Sequence, residues 1–212
     1  MAYPIKDSLY LNITNRCTND CSFCIRNKTK NFNSQHQLWL EQEPSVDEII
    51  KAIGDPTKYK QIVFCGYGEP LIRLETVKEV VQKLKSLTPH PCLAGRQASH
   101  PIPKIRLDTN GHANLFWGRN IVPELKGLID YVSISLNAEK GPLYTSLCSP
   151  LYGEKTYSAI FEFIRESKKY IPQVEISIVD LPSINQEACQ KIAQNLGVSF
   201  RVRPYYEEKY VR

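Results

Sequence analysis

The sequence predicts an α/β protein with a parallel β-sheet. Short, nearly continuous apolar runs end in polar or glycine-rich residues, and between them apolar side chains recur at helical spacing. This alternation repeats six times along 212 residues, the signature of strands joined by helical crossovers.

The first strand spans residues 8 to 14, Ser8 to Thr14, and leads into a cysteine-rich loop. Ser45 and Glu48 have capping-box spacing ahead of Ile49, Ile50 and Ile53, so a helix should begin there and stop near Gly54. Gln61 to Cys65 reads as a strand buried on both faces and ends at Gly66. Val77, Val80, Val81 and Leu84 mark the next helix. Residues 88–103 carry four prolines and two histidines and read as an irregular insertion within one domain covering 1–212. Lys104 to Asp108 is the third strand, a helix is expected from Arg119 to Gly127, and Tyr131 to Leu136 is the fourth strand. Tyr157, Ile160, Phe161 and Ile164 mark another amphipathic helix; Val174 to Val179 and Ser199 to Arg203 are strands five and six around a helix from Asn185 to Leu196.

Right-handed crossovers allow either an open doubly wound sheet or a curved, incomplete barrel, and periodicity does not choose between them. In both, ligands bind at the carboxyl ends of the strands. The cysteine loop, Gly66-Tyr67-Gly68-Glu69-Pro70, Asp108-Thr109-Asn110-Gly111 and Leu136-Asn137 all fall at such ends, so they should converge on one mouth.

Cys17, Cys21 and Cys24 form a C-x3-C-x2-C run. Three thiolates on a four-iron cubane leave one iron open to an incoming molecule, whereas structural zinc takes four protein ligands and electron-transfer clusters are commonly closed by a fourth Cys. The other four cysteines, Cys65, Cys92, Cys148 and Cys189, are dispersed, and an odd, scattered count argues against a disulfide framework. No basic region leads into an apolar run at the N-terminus and no stretch approaches the ~18 apolar residues of a membrane span. A reducing cytoplasm and no membrane association are expected. The net charge of +5 is spread along the chain and names no partner.

Taken together, the Cys17-x3-Cys21-x-Phe23-Cys24 run, Gly68-Glu69-Pro70, Asn110-Gly111 and the polar series Ser133, Ser135, Asn137 resemble the radical S-adenosylmethionine (radical SAM) superfamily, in the family's order and at matching strand ends. The resemblance covers roughly residues 8 to 204 and implies a partial (β/α)6 TIM-like barrel. Leu11 to Cys17, Phe64 to Pro70, Ser133 to Ala138 and Arg201 to Tyr205 look like the TatD-associated radical SAM proteins. Asp108 to His112 also resembles the glycyl-radical-activating branch.

The resemblance implies a [4Fe-4S] cluster on Cys17, Cys21 and Cys24, with S-adenosylmethionine on its open iron. Reductive cleavage would yield a 5'-deoxyadenosyl radical that takes hydrogen from a substrate. It implies an electron donor such as flavodoxin or ferredoxin, and the subgroup name suggests a TatD-type nuclease as partner. Gly66, Tyr67, Gly68 and Glu69 would meet the cofactor, the glycines allowing close backbone approach. Ser135 and Asn137, two apart on a strand, face one way and would bond ribose hydroxyls. Arg203 would bind a carboxylate, and Asp108 and Asn110 lie at the same strand ends.

Plainer readings stand beside these. The trio could hold zinc with a distant Cys65 or His36, making the chain a non-catalytic zinc or iron-sulfur protein that partners a nuclease. Asp108 could cap its turn, and Ser133 could be a small core residue. Cys65 reads as core, Cys148 as either a buried hydrophobe or a hydrogen donor, and the histidines as loop residues with His112 a possible substrate contact. Trp39 and Trp117 could pack over the mouth or cover barrel edge.

Overall fold

The protein is described by a computed structural model for residues 1–32, 36–87 and 103–205. Strands β1 (Ala2–Ile5) and β2 (Ser8–Leu11) form a hairpin, and a small ribbon follows from β3 (Asn31–Phe32) and β4 (His36–Gln37). Next come α1 (Val46–Ile53), β5 (Gln61–Phe64), α2 (Leu74–Leu87), β6 (Lys104–Thr109) and α3 (Ala113–Trp117). The chain continues through β7 (Tyr131–Ser135), α4 (Gly141–Cys148), α5 (Lys155–Tyr170), β8 (Gln173–Val179), α6 (Gln186–Leu196) and β9 (Ser199–Arg203).

Among the described residues seven strands make one sheet in the order β1-β2-β5-β6-β7-β8-β9, with every neighbouring pair after the first parallel. A doubly wound sheet reverses its strand order at a switch point, and this order runs one way only. All helical crossovers therefore return the chain in a single sense, and the carboxyl ends of six parallel strands point to one side.

Strand alternation divides the sheet into two unlike faces. One carries Leu9, Leu11, Ile62, Phe64, Ile105, Leu107, Val132, Ile134 and Ile176, all buried in the main core with helix residues such as Val77, Val80, Phe163 and Ile164. The other carries Tyr10, Arg106, Asp108, Ser133, Ser135, Glu175, Arg201 and Arg203. Its charges are matched internally: Arg106 Nε lies 2.6 Å from Asp108 and Arg201 Nε 2.7 Å from Glu175, which also accepts from Ser133 at 2.7 Å. Ser133 is thus a buried polar link between strands, which refines its reading as a small core residue.

Several elements differ from expectation. β1 lies within residues read only for a targeting signal; Pro4 fits an edge strand because it has no ladder donor to lose. Regular pairing of β2 ends at Leu11, and Asn12 to Asn15 instead bond to a crossing segment: Asn12 Nδ2 to Leu38 O at 2.6 Å, Thr14 to Glu43 at 2.5 Å, Asn15 Nδ2 to Leu40 O at 2.7 Å. The helix expected over 119–127 is only a 3-10 turn at Val122–Leu125, with α3 placed earlier, because Pro123 and Gly118 interrupt the helical pattern. Helix α1 begins as predicted, with both capping-box bonds between Ser45 and Glu48 formed. The proline-rich insertion over 88–103 lies outside the described residues except for Pro103.

Candidate functional site

All twelve residues named from the sequence as ligands or cofactor contacts line one cavity of about 250 Å³ at the carboxyl ends of the strands. The thiols come from the loop after β2: Cys17, Cys21 and Cys24. Gly66, Tyr67, Gly68 and Glu69 follow β5, Asp108 and Asn110 come from β6 and its turn, Ser135 and Asn137 from β7, and Arg203 from β9. The expected convergence of strand-end segments is what the chain does. Asn19, Phe23, Cys65, Val179 and Tyr205 also line it. Cys65 therefore faces the cavity and is not a core residue, its thiol against the Asp108 carboxylate. Trp39 and Trp117 stand outside the cavity lining; Trp117 Nε1 donates to Leu71 O at 2.8 Å.

The two glycines have a reason within the chain itself. A Cβ on Gly68 would lie 2.4 Å from Thr14 O and 2.5 Å from Arg16 O, and one on Gly66 would lie 2.2 Å from Asn12 Oδ1. Within the chain, the close approach that requires glycine is to Asn12, Thr14 and Arg16, the segment that follows β2 and opens the cysteine loop. Tyr67 N and Glu69 N seal this contact by donating to Asn12 Oδ1 at 3.1 Å and Arg16 O at 2.8 Å.

Glu69 is buried and accepts from Leu71 N at 3.0 Å, Thr109 Oγ1 at 2.8 Å and Asn110 N at 2.7 Å. Its carboxylate thereby ties the β5 loop to the β6 turn. Desolvation pushes its ionisation up to about 7 against the pull of these three donors. Asp108 pairs with Arg106; the turn at Gly111, whose φ is +79°, is capped instead by Thr109 Oγ1 and Asn110 Oδ1. That corrects the reading of Asp108 as the turn cap.

Asn137 has φ +53°, and Ala138 N bonds Leu136 O at 2.8 Å across it, a tight turn in a left-handed conformation. The turn presents its amide oxygen to Arg203 Nη2 at 3.1 Å, while Ser135 Oγ accepts from the same nitrogen at 3.2 Å. Arg203 Nε is buried without a hydrogen-bond partner among the described residues. An orphaned donor of a cation that lines a cavity is what an incoming anion or carbonyl would satisfy.

Behind the cavity, α4 braces the cysteine loop. Asp20 N donates to Cys148 O at 3.0 Å, Ser22 N to Leu147 O at 2.9 Å, and Leu151 N to Thr18 O at 2.9 Å. The Cys148 thiol is fully buried against Cys21. His112, read as a loop residue with a possible substrate contact, is fully buried and lies outside the cavity lining. Its Nδ1 is 2.9 Å from Thr18 Oγ1 and its Nε2 is 2.7 Å from the Tyr144 hydroxyl. That role was invisible in sequence because α4 was not foreseen.

The donor chemistry fits an iron-sulfur cluster. Burial pushes Cys17 up to about 12 and Cys24 upward; contact with Cys148, then burial, does the same to Cys21. Metal ligation needs the thiolates, so binding would release these protons. Among the described residues, no three His, Cys, Asp or Glu side chains sit closely enough to share a single metal ion. In a cubane each thiolate takes its own iron.

Comparison with known proteins gives the class first. The fold is similar to a radical SAM methyltransferase from Sphaerobacter thermophilus, with TM-score 0.59 and 14% identity over 96% of this chain and 68% of that one. It is also similar to Streptococcus suis SuiB, with TM-score 0.61 and 12% identity over 97% of this chain and 41% of that one. HydG, a maturase of the [FeFe]-hydrogenase, matches with TM-score 0.60 and 13% identity over 94% of this chain and 42% of that one. The radical SAM superfamily model matches residues 11–196, and the chain belongs to that superfamily. Members of that superfamily use a [4Fe-4S] cluster and S-adenosylmethionine, and membership does not favour the non-catalytic alternative. A curated relative, the 5-amino-6-(D-ribitylamino)uracil–L-tyrosine 4-hydroxyphenyl transferase 2 of Methanosarcina mazei, is 30% identical over 95 residues, 44% of this chain and 22% of its own length. The chain thus spans about a fifth of the curated relative it matches.

Proposed function

We propose that this chain binds its cluster through Cys17, Cys21 and Cys24 and uses S-adenosylmethionine in the same cavity to initiate hydrogen abstraction from a substrate. The observation that carries this is the convergence of three thiols, the β5 loop, the β6 turn, the Asn137 turn and Arg203 on one cavity. When bound, the cluster supplies the electron that cleaves the sulfonium reductively to a 5'-deoxyadenosyl radical.

The chain's own residues bind and orient. Arg203 offers its free Nε to a carboxylate, held in place by Ser135 and Asn137. The remaining capacity of the Ser135 hydroxyl and the Asn137 amide is available to ribose hydroxyls. Gly66 to Glu69 form the wall against which an amino group is held, and Asn110 and Asp108 close the far side. Phe23 and Tyr205 line the same cavity, where their rings would limit the access of water. In this reading the sheet is the wall of a partial (β/α)6 barrel and 1–212 form one domain, supported by the unidirectional strand order.

Enzymes of this class need a reductant and a substrate. A flavodoxin or ferredoxin suits the first role. The four sequence phrases that look like the TatD-associated proteins support that subgroup and a TatD-type nuclease as partner, and the dispersed cysteines support a reducing cytoplasm. Among the described residues no helix is long and apolar enough to cross a membrane.

Anaerobic reconstitution tests the proposal. About four irons and four sulfides per chain, with 5'-deoxyadenosine released on reduction, are expected. One tightly held zinc and no cleavage would sink it. Cys24→Ala should abolish cluster assembly while Cys148→Ala retains it; equal loss in both would show the ligand set to be wrong.

A further inference from the structure

We infer that His112 and Tyr144 are positioning residues that aim an N–H of Asn110 at the sulfur of Cys17, and that this relay raises the potential of the bound cluster. The inference rests on the cluster-binding role proposed above for Cys17.

Proton accounting carries it. Asn110 Nδ2 donates to Thr18 Oγ1 at 2.8 Å, so that hydroxyl is already an acceptor. Its single proton then goes to His112 Nδ1 at 2.9 Å, which makes Nδ1 an acceptor and places the ring proton on Nε2. The Nε2–H donates to Tyr144 Oη at 2.7 Å. Tyr144 Oη also accepts from Asn19 Nδ2 at 3.0 Å and directs its own proton toward Asn19 Oδ1 at 3.4 Å. Each proton of this buried set then has an acceptor within reach, the longest contact being that of the Tyr144 hydroxyl at 3.4 Å. The opposite tautomer would give Thr18 Oγ1 two incoming donors and leave its own proton unplaced, which is costly in a site where Thr18, His112 and Tyr144 are all nearly inaccessible.

The far end of the relay is the ligand. Asn110 Nδ2 carries two protons; with one committed to Thr18, the other lies toward Cys17 Sγ, 3.7 Å away. The amide cannot flip, because Asn110 Oδ1 is held by His112 N at 3.0 Å. A donor on a thiolate sulfur stabilises the more negative, reduced cluster and so raises its potential. Helix α4 therefore reaches the cluster electronically through Tyr144 as well as through its backbone bonds to the cysteine loop.

The test uses the full chain. In metal-free wild type, nitrogen NMR of the His112 ring should show the Nε2–H tautomer. In reconstituted protein without S-adenosylmethionine, EPR-monitored redox titration should show a more negative midpoint for Thr18→Val and Tyr144→Phe, with Thr18→Ser restoring the wild-type value. An Nδ1–H tautomer would overturn the inference, as would unchanged midpoints in variants that load iron normally, or Thr18→Ser behaving as Thr18→Val. Should the Val and Phe variants load no iron, the tautomer in wild type and the midpoint of Thr18→Ser still decide. Failure of wild type itself to load iron would count against the cluster reading and leave the tautomer measurement intact.

Discussion

His112 shows how burial sets the behaviour of a single residue. Burial draws its ionisation from about 6.5 down to about 3, so the folded ring stays neutral where the unfolded ring is charged. Between those values the unfolded chain binds more protons, so stability is whole above pH 6.5 and is lost as pH falls toward 3. The expected result is a ring that shows no titration midpoint above about pH 4, with thermal stability declining below about pH 6.5. A ring titrating near its free value would contradict it. Gly68 is the second residue whose surroundings dictate its identity. Gly68→Ala drives a methyl against the carbonyls of Thr14 and Arg16, which belong to backbone and cannot swing aside. A loss of about 3 kcal/mol in denaturant unfolding is expected, the upper range for overpacking, along with weakened cluster loading. At this scale the cysteines, Gly68 and Asn110 were legible because their types and spacing carry chemistry; the partners of Asn12, Thr18 and Tyr144 were not, because they lie tens of residues away along the chain.

Among the elements, α1 was legible down to its cap: Ser45 accepts from Glu48 N at 3.3 Å and Ser45 N donates to the Glu48 carboxylate at 2.7 Å. Ser45→Ala should cost about 1 kcal/mol in chemical denaturation without altering cluster content. Helix α4 was not legible. It opens on Gly141-Pro142 and buries only Tyr144 and Cys148, so it has no broad apolar stripe to announce it. Its place is decided by the cysteine loop that rests on its last turn. The 119–127 segment erred the other way: its apolar spacing is helical, but Ile121, Val122 and Leu125 are buried by a tight 3-10 turn.

For the whole molecule, the sheet separates stability from chemistry by face. Leu107 and Asp108 are neighbours in β6, yet Leu107 is fully buried among helix side chains and Asp108 lines the cavity. Leu107→Ala should cost about 3 kcal/mol in denaturant unfolding. Ser135→Ala, on the other face, should cost less than about 1 kcal/mol but weaken S-adenosylmethionine binding, read by calorimetry on reconstituted protein. Equal destabilisation by the two would mean that the polar face is also core.

Alternation of apolar runs and helical spacing is a local property, and it was enough to determine a mostly parallel α/β sheet and the side on which its cavity forms. The C-x3-C-x2-C run and the segments at the strand ends likewise determined which residues would meet, since in a parallel sheet every carboxyl end points one way. Strand order, the antiparallel edge of β1, the bracing of the cysteine loop by α4 and the tautomer of His112 were decided only by tertiary structure. Each depends on contacts between residues distant in sequence, and a buried proton finds its acceptor only after the chain has closed around it.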